Sequence, residues 1–190
     1  MSPETTVRPF RSMEEATAAQ TRQYIAEGSE HLKGSLVPTL VNLLKLGQGA
    51  YFGAAVDRYT HSLQTATRAY RSNARLDMVV GALLHDVADN FAPMSHGAVA
   101  AAMISKYVDE ETTWVVEHHT VFQGYHFWDK IDLDRDARDK WADHPYFDAA
   151  AAFCAEWDQV SFDERYDTLP VDFFIPALQE VLARPVNGFA

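Results

Sequence analysis

The stretch RLDMVVGALLHDVAD, residues 75–89, decides the fold. It is apolar on nearly every side as far as Leu84. That predicts a central buried helix rather than an amphipathic surface one, stopped by Pro93. The helix delivers His85 and Asp86 side by side, with no lysine or arginine next to them in sequence. Taking an ionised carboxylate out of water is costly unless an opposite charge meets it. The rest of the chain has to supply that partner.

Outward from this segment the sequence reads as helix after helix. Ser12 and Glu15 have the form of a capping box and predict a helix running to about Glu27. Gly28 and Gly34 predict a turn, and VPTLVNLLKLG a short helix stopped at Gly47. GQGAYFG is a glycine-rich connector. Tyr59, Leu63, Ala66, Ala69 and Tyr70 then share one helical face. HGAVAAAMISKYV, EETTWVVEHH and YFDAAAAFCAEWDQVS each predict a helix, RDARDKW a charged helical face, and VDFFIPALQEVLARP a last helix. Period-two alternation is weak throughout, so the expected class is all-α.

Composition narrows the chemistry. The 190 residues suit one domain, and 47% apolar with 23% charged is ordinary globular material. A net charge of -11 argues against a general binder of nucleic-acid backbones. A small anionic substrate needs only local positive charge. The single cysteine, Cys154, excludes an intramolecular disulfide and a Cys-rich zinc site, and fits a reducing cytoplasm. No signal-peptide pattern and no membrane-spanning run is visible. The expected partner is a small molecule in the cytoplasm, with neither nucleic acid nor membrane.

Of the eight histidines, five (61, 85, 96, 118 and 119) fall between residues 61 and 119. His61, His85, Asp86, His96, His119 or its neighbour His118, and Asp158 all fall on or beside core-facing helices. Any one alone reads as a satisfied core histidine or a capped carboxylate. Together, with few cationic side chains beside them, they point to metal ions. Imidazole with carboxylate and no thiolate suits zinc, iron or manganese, and argues against structural zinc. Adjacent helical residues point about 100° apart, so His85 and Asp86 do not chelate one ion as an i, i+4 pair does. A carboxylate has two oxygens, and Asp86 can bridge two ions while His85 binds one of them.

The ordered set His61, His85–Asp86, His96, His119, Asp158 resembles the H…HD…H…H…D ligand set of the HD-domain superfamily, over roughly residues 50–165. The resemblance implies an all-α HD-domain helical bundle with a dinuclear site in its core. It would be a single domain over 1–190, with a helical extension over 1–45 and a metal-binding core over 50–165. Most members are metal-dependent phosphohydrolases, which often carry a lysine three residues after the HD aspartate; here that residue is Asp89. A smaller branch, including myo-inositol oxygenase and phosphonate-cleaving oxygenases, uses a mixed-valent pair of iron ions and O2.

YFGAAVDRYTHSLQTATRA, residues 51–69, resembles the Tyr-x-Gly-Glu-Ala…His-Ser-Leu-Gln stretch of the phosphonate-cleaving branch. By that likeness one iron would take His61, His85, Asp86 and Asp158, and the other Asp86, His96 and His119. Asp86 would be the shared catalytic ligand, and Tyr51 would hold an iron position until substrate arrives. The glutamate suited to a primary ammonium is Ala54 here, which leaves room for a quaternary head held by aromatic faces. Tyr51, Phe52, Tyr59, Phe122, Tyr125, Phe127 and Trp128 offer such faces. The resemblance is therefore greatest to the oxygenases of trimethylaminoethylphosphonate breakdown. It implies cleavage of a 1-hydroxy-2-(trimethylammonio)ethylphosphonate-like substrate to glycine betaine and phosphate. The alternative is hydrolysis of a phosphoester or nucleotide at the same site.

The branch's anion-binding lysine and arginine are Gln123 and Ala155 in this chain. Substrate contacts would then fall to Tyr51, Ala54, Arg58, His118, Gln123, Tyr125 and Arg135, with Lys106, Lys130 and Arg138 as further cations or simply a solvated face. His31, His126 and His144 show no partner in the sequence.

Overall fold

The computed structural model describes residues 8–184, and every regular element among them is helical. Helix α1 spans Ala18–Lys45, α2 Arg58–Arg71, α3 Leu76–Leu84, α4 His96–Ile104, α5 Glu110–Gly124, α6 Phe147–Ala152 and α7 Val171–Leu182. Short 3-10 turns occupy Trp128–Ile131 and Ala137–Trp141, and α6 runs on into a π-helix at Phe153–Asp158. Residues 1–7 and 185–190, the latter including the end of the last expected helix, lie outside this description. No described helix is long and apolar enough to cross a membrane.

Contacts divide the chain into one unit over residues 1–36 and a second over 37–190. In the first, the expected capping box is replaced by another five residues on. Gln20 N donates to Thr17 Oγ1 (3.3 Å) and Thr17 N donates back to Gln20 Oε1 (3.0 Å), so α1 starts at Ala18. Ser12 and Glu15 close only a local turn. The turn expected at Gly28 and Gly34 is absent: α1 continues through both and through Pro38. Glycine in a helix costs about 1 kcal/mol against alanine, which weakens a helix without ending it. Gly34 also supplies the i−4 carbonyl that the Pro38 ring would crowd.

In the second unit, α2 packs on α3 and α4 on α5, while α3 also meets α5 and α7. Asp57 caps α2 by accepting from Thr60 N (2.8 Å) and ties down the preceding connector through Gly49 N (2.9 Å). Asp109 caps α5 the same way through Thr112 N (2.8 Å). Its own N–H donates to buried Asp77 (2.8 Å), which also pairs with Arg184. Gly81 lets α3 approach α5: a Cβ there would lie 2.6 Å from Thr112 Cγ2.

The central helix is buried as expected, every residue from Asp77 to Leu84 included, but it is shorter than the sequence suggested. It ends at Leu84, not at Pro93. Val87 N then bonds Leu84 O and Asp89 N bonds Asp86 O, both i→i+3 turns at 3.0 Å. His85 and Asp86 thus leave the helix just where its 100° spacing would have separated them. RDARDKW forms only the 3-10 turn at Ala137–Trp141.

Candidate metal centre

Six side chains from five segments meet in the core of the second unit. His61 comes from α2, His85 and Asp86 from the end of α3, His96 from the first residue of α4, His119 from α5 and Asp158 from the π-helix. His61, His85, His119 and Asp158 are at most 2% exposed, and Asp86 7%. Three overlapping triads could each hold a metal ion: His61–His85–Asp86, His85–His119–Asp158 and Asp86–His96–His119.

The backbone decides what these histidines offer. His61 Nδ1 lies 3.0 Å from Ser161 O, His85 Nδ1 2.8 Å from Ala82 O, His96 Nδ1 2.9 Å from Pro93 O and His119 Nδ1 2.7 Å from Val116 O. A carbonyl only accepts, so each Nδ1 carries a proton and each ring turns its Nε2 inward, where it can donate when protonated and ligate a metal ion when not. Those inward nitrogens are crowded: His61 and His85 Nε2 are 3.3 Å apart, His96 and His119 Nε2 3.1 Å. Nitrogens facing each other this closely call for a proton or a metal ion between them, and the donor set fits a metal ion.

Asp86 sits between the two pairs and divides its oxygens. Oδ2 lies 3.4 Å from His61 Nε2 and 3.2 Å from His85 Nε2. Oδ1 lies 3.3 Å from His96 Nε2 and 3.2 Å from His119 Nε2. Asp158 Oδ1 adds to the first group, 3.1 Å from His61 Nε2. Gln123 Nε2 donates to the same oxygen at 3.1 Å.

Burial opposes ionisation of Asp86, but the His85 and Arg58 charges and hydrogen bonds from His119 and His61 win, holding its carboxyl well below the usual range. Asp158 is lowered as well: burial is outweighed by hydrogen bonds from His61 and His85. For His85, burial is overcome by the charge of Asp86 and hydrogen bonding to Asp158, and the imidazole is pushed up to about 10. The arrangement favours full negative charge on both carboxylates and strong competition for the histidine nitrogens.

Beside the cluster lies a cavity of about 440 Å³, reached by Arg58, Gln123, His126, Phe127, Lys130 and Phe162. Arg58 pairs with Asp86 and, through Nε, with Asp89 at 3.0 Å. Asp89 therefore faces a cation contributed by α2. Phe162 stacks on His61 with centroids 4.5 Å apart, and Thr120 Oγ1 reaches His96 Nε2 at 3.1 Å.

The other sequence candidates lie elsewhere. Tyr51 is 50% exposed on the connector before α2, and neither it nor half-buried Ala54 lines the cavity. His118 turns away from its neighbour, stacking on Trp114 (4.2 Å) and bonding Trp114 O. Tyr125 lies under Arg138 and Arg135, at 3.5 and 4.2 Å from its ring centre, and none of the three lines the cavity. His126, without a role in the sequence reading, does line it. The signal was available: His119, Gln123 and His126 follow the i, i+4, i+7 spacing of one helical face.

Helix α4 reaches α5 through small residues, and Gly97 marks the closest point. A Cβ there would sit 3.0 Å from the carbonyls of Val116 and Glu117 and 3.2 Å from His119 Cε1. Backbone cannot yield as a flexible side chain can. Gly97→Ala is expected to cost about 1–3 kcal/mol and to lower metal content through the His96–His119 pair first. Elemental analysis with thermal melting checks this; full metal content and an unchanged melt would contradict it.

No curated protein matches the sequence. The model of the HD domain matches residues 58–158, just over half of the 190 residues. That span opens on Arg58 at the start of α2, closes on Asp158, and holds all six side chains of the cluster. The chain belongs to the HD-domain family.

Proposed function

We propose that this HD-domain protein is a di-iron oxygenase that cleaves the carbon–phosphorus bond of a 1-hydroxyphosphonate with O2. HD domains are typically metal-dependent enzymes, hydrolases or oxygenases. The observation that carries a dinuclear reading is the division of Asp86, one oxygen toward His61 and His85 and the other toward His96 and His119. In this reading His61, His85, Asp86 and Asp158 hold one iron, and Asp86, His96 and His119 the other. When bound, iron supplies redox capacity and open coordination positions for O2 and substrate.

Four imidazoles against two carboxylates make a nitrogen-rich set, which suits iron better than magnesium. Asp89, where phosphohydrolase relatives often have a lysine, further supports the oxygenase branch. The chain's own residues prepare the site. Backbone carbonyls fix the four imidazoles, Gln123 orients Asp158, and Phe162 covers His61 from water. Arg58, anchored by Asp89, offers its guanidinium to a phosphonate oxygen. The reaction balances without a further reductant: a 1-hydroxyphosphonate and O2 give a carboxylic acid and phosphate, the C–H and C–P bonds supplying the electrons. With a trimethylammonio head the acid is glycine betaine.

Iron-loaded protein given a panel of 1-hydroxyphosphonates should consume O2 in step with phosphate release, and EPR or Mössbauer spectra should show a coupled iron pair. Phosphate release from a nucleotide or phosphoester with no O2 uptake would instead make the protein a hydrolase.

A further inference from the structure

The end of α5 and the turn after it bring Gln123, His126, Phe127 and Lys130 to the cavity. His126 Nε2 and Gln123 Oε1 are both closed off from solvent, and neither meets a hydrogen-bond partner. A buried polar atom left unpaired is costly. Two of them on the wall of an open cavity mark where the polar atoms of a ligand belong.

The charges around His126 indicate which ligand. Between residues 129 and 139 the five aspartates (129, 132, 134, 136 and 139) are all exposed, whereas Arg135 and Arg138 are half-buried and fold over the Tyr125 ring. In a chain of net charge -11 this turn thus points its carboxylates outward and its guanidiniums inward. Arg138 Nε is itself buried and unpartnered. Burial, and then the Arg138 charge, push the His126 imidazole below its ordinary value. At neutral pH the ring is neutral and has one N–H to donate.

We infer that His126, with Lys130 on the same wall and Arg138 behind it, forms an oxyanion subsite, its Nε2–H donating to an oxygen of a phosphonate or phosphate group. The inference deepens the functional reading above, on which it rests for the identity of the substrate. It replaces in kind the lysine and arginine that the resemblance led one to expect at Gln123 and Ala155. His126 is a binding residue, so its loss acts on affinity and leaves the metal cluster intact.

The test uses inorganic phosphate as the probe, titrated calorimetrically into manganese-loaded protein. His126→Phe should weaken phosphate binding about tenfold, the worth of a hydrogen bond to a charged group. His126→Gln keeps an N–H donor and should bind within about threefold of the original protein. Both variants should retain their full metal content. An unchanged phosphate affinity in His126→Phe, loss of metal in that variant, or no recovery in His126→Gln would each overturn the inference. Because no turnover is involved, the subsite can stand if the chain proves to be a hydrolase, and fall if it proves to be an oxygenase.

Discussion

Asp86→Ala should strip the protein of both metal ions at once and reduce its activity by more than about 100-fold, since even partners one shell beyond a ligand are worth 10–100-fold. The reason is the division of its two oxygens between the His61–His85 and His96–His119 pairs. Among the described residues no other carboxylate divides its two oxygens in this way, Asp158 turning Oδ1 to both His61 and His85. Removing His96 alone should leave the ion held by His61, His85, Asp86 and Asp158. Asp86→Ala also removes the Arg58 guanidinium's more buried partner, leaving it to Asp89, so part of any loss of stability is separate from the metal ions. Asp86→Asn separates the two effects, because the amide keeps the shape and one oxygen but cannot bridge as an anion. Elemental analysis of both variants decides the matter. Two ions retained in either would defeat the shared-ligand assignment.

The second large effect is a reversal of pH dependence on metal removal. In chelator-stripped protein, protons take up the negative charge of the cluster. His85 rises from an ordinary 6.5 to about 10 and His61 is raised too, despite the burial that opposes both. A raised pKa contributes stability that is complete below 6.5 and disappears as pH climbs through the folded value. Asp86 and Asp158 are lowered, so their contribution is present above 3.8 and is lost only as pH falls toward their folded values. The stripped protein should therefore be most stable near pH 4–6.5 and weaken steadily toward pH 10. Metal binding displaces the same protons and tightens over that window. The rise in Tm on adding metal should grow from pH 6.5 to pH 9. An increment flat across that range would mean that the ions bind somewhere other than these imidazoles.

Much of this site can be read from the sequence for a simple reason. Ligands at the start, middle or end of strongly patterned helices inherit their placement from those helices. His61 lies on a helix buried on every side from His61 to Thr67, and His85 closes the most apolar segment of the chain. What could not be read depends on departures from helical winding or on contacts remote in sequence. The bridging posture of Asp86 requires α3 to stop at Leu84, which no residue between Leu84 and Pro93 announces. The pairing of Arg58 with Asp89 joins the start of α2 to the turn after α3. Nothing in the sequence shows that His118 stacks on Trp114, whose ring also stacks on His144, while His119 turns toward Asp86. In α1, two glycines and a proline looked like breakers, yet the backbone continues through them.

The widened coil at Phe153–Asp158 gives the last carboxylate a tolerance that the other five side chains lack. Gln159 N reaches back five residues to Cys154 O, and Phe153 and Asp158, five apart, are both buried, with Phe153 edge-on to His85. Ordinary winding would turn two residues so spaced about 140° from each other. Deleting the exposed Ala155 should let the segment tighten by one residue and still present its aspartate inward. The same deletion between His119 and Gln123 would swing everything beyond it by about 100°. Length variation should therefore be borne more readily at this turn than within α5, where His119 and Gln123 are set.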